Sequence, residues 1–169
     1  IDFADKAGVI KDKSDSEKEI MYFNAAEQVF LTENYGKALA SLQTYLERYP
    51  SGRQVPVAEF YIAECYRNIG KKEQACDWYK KSLEKGEGSA FAETAMLNFS
   101  KLSYDLQRYK DAFGGYSSLL EDAKIDNNKH TARVGMMRSA YRAGEWASAK
   151  SCADKVKADG KSTAAEIRE

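Results

Sequence analysis

The chain has 169 residues, 43% of them hydrophobic and 12% aromatic, which is enough for a continuous core in one ordinary domain and too much for a disordered chain. Lysine plus arginine and aspartate plus glutamate number 26 each, so the formal charge is zero and no global field draws the chain to nucleic acid or an anionic membrane. No apolar run reaches the ~18 residues needed to span a bilayer, so no membrane insertion of this segment is expected. The chain begins at Ile1 without a methionine and ends in a helix-forming run without a cap. We read it as a fragment of a longer protein, from which a targeting segment could have been removed.

Helix signals follow one another along the whole chain. Ser16 with Glu19 fits a capping box ahead of Ile20, Phe23, Val29 and Phe30, which predicts a first helix over 15–32. Asn34-Tyr35-Gly36 supplies a turn, Leu39, Leu42, Tyr45 and Leu46 recur at helical spacing, and Pro50 ends the second helix. A second pair is predicted over 54–69 and 72–85, broken by Gly70, with Gly86 and Gly88 flanking the next turn. A third pair is predicted over 90–106 and 110–122, and a fourth over 128–143 and 146–158. Gly160 precedes the start of a ninth helix over 162–169. No segment alternates as a strand does. Gly114-Gly115 interrupts a predicted helix at ~1 kcal/mol per residue relative to alanine, for which close packing against the next unit is the simplest cause.

These elements repeat. Ala38, Ala75, Ala112 and Ala149 fall at a constant interval of 37 residues. Three residues earlier stand Tyr35, Lys72, Tyr109 and Trp146, four residues later Leu42, Tyr79, Tyr116 and Ala153, and twelve residues earlier Ala26, Ala63, Ser100 and Met137. Small residues recur where two helices must approach closely, and a fixed period of this size marks stacked units that cannot bury their apolar faces alone.

With Tyr22, Ala26, Val29, Ala38, Leu42, Tyr45 and Pro50 in the first frame and Ala63, Tyr66, Gly70, Ala75, Tyr79 and Ser82 in the second, the chain resembles the tetratricopeptide repeat (TPR). The tryptophan slot holds Tyr22, Glu59, Met96 and Arg133. The closing proline is present as Pro50 and replaced by Glu87, Lys124 and Lys161. The resemblance implies an all-α fold, a right-handed superhelical α-solenoid of about four helix pairs plus the start of a fifth. Its units fall at about 15–50, 53–86, 89–123, 127–158 and 161–169 in a single repeat domain. The long period and the turn Tyr49-Pro50-Ser51-Gly52 resemble the divergent repeats of bacterial cell-envelope proteins, of the Tol-Pal associated and outer-membrane assembly types. That narrower resemblance implies a periplasmic or cell-envelope location.

In this family the first helix of each pair lines a concave groove. The resemblance places Phe30, Arg67, Tyr104 and Tyr141 there, with Glu27, Glu64, Lys101 and Arg138 beside them and Asn68, Asp105 and Arg142 one turn on. Such a mixture suits an extended or helical peptide. The expected partner-binding patch is Arg67, Lys101, Tyr104, Arg138 and Tyr141, facing acidic or aromatic groups of a protein or peptide. Tyrosines at this spacing also bridge adjacent units, which is the structural reading of the same residues. Some repeats of the family clamp a peptide carboxylate, but Glu27 stands where the clamp's first asparagine would be and would repel it.

Chemistry-bearing residues are scarce. Cys65, Cys76 and Cys152 form no Cys-x-x-Cys pair and read as small buried hydrophobes. Their odd number fits a reducing compartment. His130, the one histidine, sits at a helix start and reads as part of a surface turn, with no nucleophile elbow or phosphate loop beside it. No catalytic residue, metal or cofactor is expected. The expected function is a non-catalytic scaffold for protein–protein interaction. The alternatives are an accessory repeat domain of a larger catalytic or signalling protein and, against the neutral charge, an RNA-binding helical repeat.

Overall fold

A computed structural model describes residues 14–86 and 88–168. Ile1, Glu87 in the second proline slot, and Glu169 at the end of the predicted ninth helix lie outside the described residues. Those described form nine α-helices and no strand: α1 (Asp15–Leu31), α2 (Tyr35–Arg48), α3 (Val55–Asn68), α4 (Lys72–Lys85), α5 (Ala92–Asp105), α6 (Tyr109–Asp122), α7 (Asp126–Arg142), α8 (Trp146–Ala158) and α9 (Ala164–Arg168). The chain divides into two compact units, Ile1–Gly86 with α1 to α4 and Glu87–Glu169 with α5 to α9.

The turn inside each helix pair is set by one backbone device repeated in register. Glu33, Gly70, Gln107 and Gly144 take φ of 59°, 81°, 60° and 78°, again 37 residues apart. The left-handed residue lets the next amide reach back over the helix end, with Lys71 N–H donating to Tyr66 O at 2.9 Å, Arg108 N–H to Ser103 O at 2.8 Å and Glu145 N–H to Ala140 O at 2.9 Å. This bond satisfies a carbonyl the helix leaves open and reverses the chain. Glycine adopts the conformation freely at two of the four turns, while Glu33 and Gln107 bear a strain of about 1 to 2 kcal/mol each.

The seam between paired helices is built of small residues. Ala38, Ala75 and Ala112 are fully buried and Ala149 nearly so, opposite buried Ala26, Ala63, Ser100 and Met137. In the first unit, α1 and α2 pool Phe23, Ala26, Ala38, Leu42 and Tyr45 with Val55, Ala58 and Ile62 of α3 in one cluster. The second pair contains a costly choice: Glu59 is 1% exposed, with Oε1 3.5 Å from Lys81 and 3.9 Å from Lys85 and Oε2 without a hydrogen-bond partner among the described residues. Burial holds its carboxyl above the usual range although both lysines oppose the shift.

Two local expectations need correction. The capping box of α1 is Ser14 with Glu17, not Ser16 with Glu19: Glu17 N–H donates to Ser14 Oγ at 3.3 Å and Ser14 N–H to Glu17 Oε2 at 2.8 Å. Glu19 is engaged elsewhere, accepting the Tyr45 hydroxyl at 2.9 Å and the Gln54 amide at 3.5 Å. The glycine pair in α6 also splits. A Cβ on Gly115 would fall 2.4 Å from Ser100 Oγ and 3.0 Å from the Phe99 ring. The close packing is therefore against α5 of its own pair rather than the next unit. Gly114 meets nothing within 4 Å, and α6 runs through both without a break.

These neighbours should respond oppositely to one substitution. Gly114→Ala is expected to stabilise the fold by about 1 kcal/mol, the helix-propensity gain, and Gly115→Ala to destabilise it by about 1 to 2 kcal/mol through overpacking. Urea unfolding of the two variants checks the signs, and equal signs would refute the assignment of which glycine makes the contact.

Candidate functional site

Four of the five expected site residues meet in the second unit. Tyr104 and Arg138 line both of two adjoining hollows. One, of about 590 Å³, is completed by Met137, Tyr141, Arg142, Trp146, Ala149, Lys150 and Ala153. The other, of about 330 Å³, includes Lys101, His130, Val134, Gly135 and Glu166. The fifth residue, Arg67, lies in the first unit and is already committed: its Nη2 donates to Glu64 Oε2 at 2.5 Å and its Nε to the Tyr79 hydroxyl at 3.2 Å, while that hydroxyl donates to Glu64. Burial, reinforced by Glu64, pushes the Tyr79 hydroxyl well above its ordinary pKa.

The aromatic residues follow a rule of their own. The position eight before each repeat alanine pairs with the position three before it: Phe30 with Tyr35 at 6.1 Å and 62°, Tyr104 with Tyr109 at 5.4 Å and 67°, and Tyr141 with Trp146 at 5.1 Å and 75°. Edge-to-face contact of this kind adds about 0.5 to 1.5 kcal/mol beyond area burial, and it joins the end of one helix to the start of the next. The second pair has Arg67 and Lys72 at these positions instead. Phe30, Tyr35, Tyr104 and Tyr109 are half-buried, whereas Tyr141 is 59% and Trp146 63% exposed.

The larger hollow carries Arg138, Arg142 and Lys150 and no carboxylate among its lining residues. Arg142 reaches back to the Tyr109 hydroxyl, with Nε at 3.2 Å and Nη2 at 3.0 Å, and lies 5.4 Å from that ring's centre. A cationic, aromatic-walled hollow is suited to an apolar side chain flanked by carboxylates. Sequence reasoning placed Arg142 near the groove but missed Trp146 and Lys150. Both lie in the second helix of the fourth pair, Trp146 at its start and Lys150 one turn on, while the groove was assigned to first helices alone. The aromatic slot three before each alanine was the available signal.

His130 departs from the expected surface turn. It lies inside α7, its side chain 13% exposed, with Nδ1 2.8 Å from Asp159 Oδ2 and Nε2 3.4 Å from Glu166 Oε2. It thus ties α7 to the end of α8 and to α9. Arg133 joins the cluster at 3.0 Å from Asp159, and the His130 hydrogen bond, ahead of Arg133, holds the Asp159 carboxyl below its usual range. All three cysteines are free and buried. Burial, with Glu64 beside it, pushes the Cys65 thiol up to about 12, and burial also raises that of Cys152.

Comparison with known proteins agrees with this architecture. Residues 57–85, within α3 and α4, match the family model described as tetratricopeptide repeat. The fold is similar to that of BtubC (BKLC) from P. vanneervenii, with a TM-score of 0.62 at 19% identity over 88% of this chain and 65% of that one. It is also similar to the nearly identical TPR-like repeats of a putative kinesin light chain from Podosopora anserina, at 0.59 and 9% over 90% and 80%. A third similarity is to a Rap protein complexed with Competence and Sporulation Factor, at 0.50 and 20% over 93% and 45%. The chain thus spans 65% of the first of these and less than half of the third. No curated protein matches the sequence. At these identities the likeness is one of fold, and the chain is a protein of tetratricopeptide-repeat fold.

The thiols give a direct check. Native protein is expected to react slowly with a thiol reagent, because burial disfavours the thiolate, and the denatured, unreduced protein is expected to titrate all three cysteines. Fewer than three would reveal a disulfide that the structure lacks.

Proposed function

We propose that the protein is a non-catalytic scaffold for protein–protein interaction, whose second unit holds a partner peptide along Lys101, Tyr104, Arg138 and Tyr141. The observation that carries this reading is the pair of adjoining hollows sharing Tyr104 and Arg138, which set aromatic and cationic side chains side by side. Tyrosine and arginine supply large contact area and charge-assisted hydrogen bonds at interface centres. Among the described residues no group of histidine, cysteine, aspartate and glutamate is arranged to hold a metal ion, and no helix is long and apolar enough to cross a membrane. The structurally similar Rap protein was crystallised with a bound factor, and we carry that mode of use, a repeat domain receiving a partner, to this chain. The period of 37 residues and the Tyr49-Pro50-Ser51-Gly52 turn further support a role in bacterial cell-envelope assembly or transport.

Selection from a displayed library of random peptides tests the reading. Peptides enriched on the protein are expected to contain acidic and aromatic residues, and to bind the Tyr104→Ala/Arg138→Ala double variant at least tenfold more weakly, a loss of about 1.4 kcal/mol or more. Undiminished affinity in a double variant whose helical circular dichroism is intact would remove the patch from the binding surface.

A further inference from the structure

Glu19, Pro56, Glu93 and His130 stand 19 residues before the four repeat alanines. At this position the first helix of a pair meets the junction with the pair that follows. Glu19 accepts the Gln54 amide ahead of α3 at 3.5 Å. Glu93 accepts the amides of Lys124 and Ile125 ahead of α7 at 3.0 and 3.2 Å, and the Asn128 side-chain amide at 2.7 Å. Pro56 lies in the first turn of α3 and has no polar side chain to extend. A glutamate that accepts from neutral amides holds its junction at every pH above its own ionisation.

The fourth pair uses a different chemistry. His130 faces Asp159 at the end of α8 with Nδ1 and Glu166 of α9 with Nε2, at 2.8 and 3.4 Å. The three side chains are 13%, 11% and 17% exposed, so solvent screens the cluster only weakly. Asp159 also takes Arg133 Nη1 at 3.0 Å, and Glu166 Oε2 also accepts the Thr163 amide and hydroxyl at 2.7 and 3.0 Å. Both carboxyls are held below their usual range, Asp159 foremost by His130 and Glu166 foremost by the Thr163 amide. They therefore stay ionised at neutral pH and can only accept. A neutral imidazole has a single N–H, so it serves one of them and turns a lone pair on the other, whereas the imidazolium serves both.

We propose that His130 is a pH-operated clasp, which as the imidazolium ties α9 to the α7–α8 pair and on losing its proton releases α9. The Glu166 contact, the longer of the two, is the one that opens, while Asp159 keeps Arg133 as a partner. The other charges around the ring do not change over this range: Arg133 on α7, Lys101 and Arg138 in the smaller hollow, and the Lys161–Asp126 ion pair at 3.7 Å beside α9. Tyr104 and Tyr116, which share that hollow, are phenols, uncharged at neutral pH. The clasp is whole from the depressed range of the two carboxylates up to the range in which histidine gives up its proton. Its hold on α9 is lost as pH rises through the histidine range, and lost again in strong acid, where Asp159 and Glu166 take up protons. The clasp acts whether or not the second unit holds a partner.

The chain has one histidine, so NMR reads its ring without ambiguity, while the Cα shifts of Ala164 and Ala165 report the helicity of α9. At about pH 5.5 both ring nitrogens are expected to be protonated and both alanines helical. By about pH 8 the helical shift is expected to fall by about half or more, with the same midpoint as the ring. Glu166→Gln removes the charge but keeps the cap of α9, since glutamine also serves at that position, and its α9 is expected to lose the pH dependence. His130→Gln is expected to do the same, with the shifts of α6 unchanged in both variants. A ring that is neutral at about pH 5.5, an α9 whose helicity is the same at both pH values, or the native pH dependence persisting in Glu166→Gln would each overturn the clasp.

Discussion

A pair of antiparallel helices seamed by alanine cannot bury its outer face alone, and the structure depends on that constraint. The small residue at each repeat alanine lets two backbones approach, the left-handed residue at the head of the pair returns the chain, and a helix from the following pair closes the cluster. Val55, Ala58 and Ile62 of α3 complete the core begun by α1 and α2, and Ala132 of α7 does the same for Ala112, Tyr116 and Leu119 of α6. Cover by the next first helix thus decides whether a residue at a given repeat position is core or surface.

The same chemistry therefore has two uses. The edge-to-face aromatic pair that bridges helix end and helix start is partly enclosed as Phe30 with Tyr35 and as Tyr104 with Tyr109, and faces solvent as Tyr141 with Trp146. Polar substitution marks the exception in the second pair, where Arg67 turns onto Glu64 and Tyr79 and becomes part of an internal network. Mixed aromatic and charged residues along a repeat do not by themselves make a binding surface, because packing encloses some of them.

The period made the fold legible. Predicted helices at 72–85 and 146–158 coincide with α4 and α8, and the others end within a few residues of the observed ones, because glycine, proline and capping residues act locally. The first capping box was misplaced because Ser14 and Ser16 both have a glutamate three residues on, and only the long-range hydrogen bond from Tyr45 to Glu19 separates them. The left-handed turns at Glu33 and Gln107 gave no sequence signal, since neither is glycine. Lys101, Tyr104, Arg138 and Tyr141, which line the two hollows, were expected on one face by offset from the alanines. Trp146 and Lys150 were not, because which face the following helix leaves open depends on packing between pairs, beyond the reach of a one-repeat motif. His130 was misread for the same reason, its partners Asp159 and Glu166 being brought to it from α8's end and from α9.

Hydroxyl-radical footprinting resolved residue by residue tests the central claim, that equivalent repeat positions differ in exposure only by what covers them. Tyr141 and Trp146 are expected to be oxidised faster than their half-buried equivalents Tyr104 and Tyr109. Protection of Tyr141 to the level of Tyr104, or of Trp146 to that of Tyr109, would contradict the account.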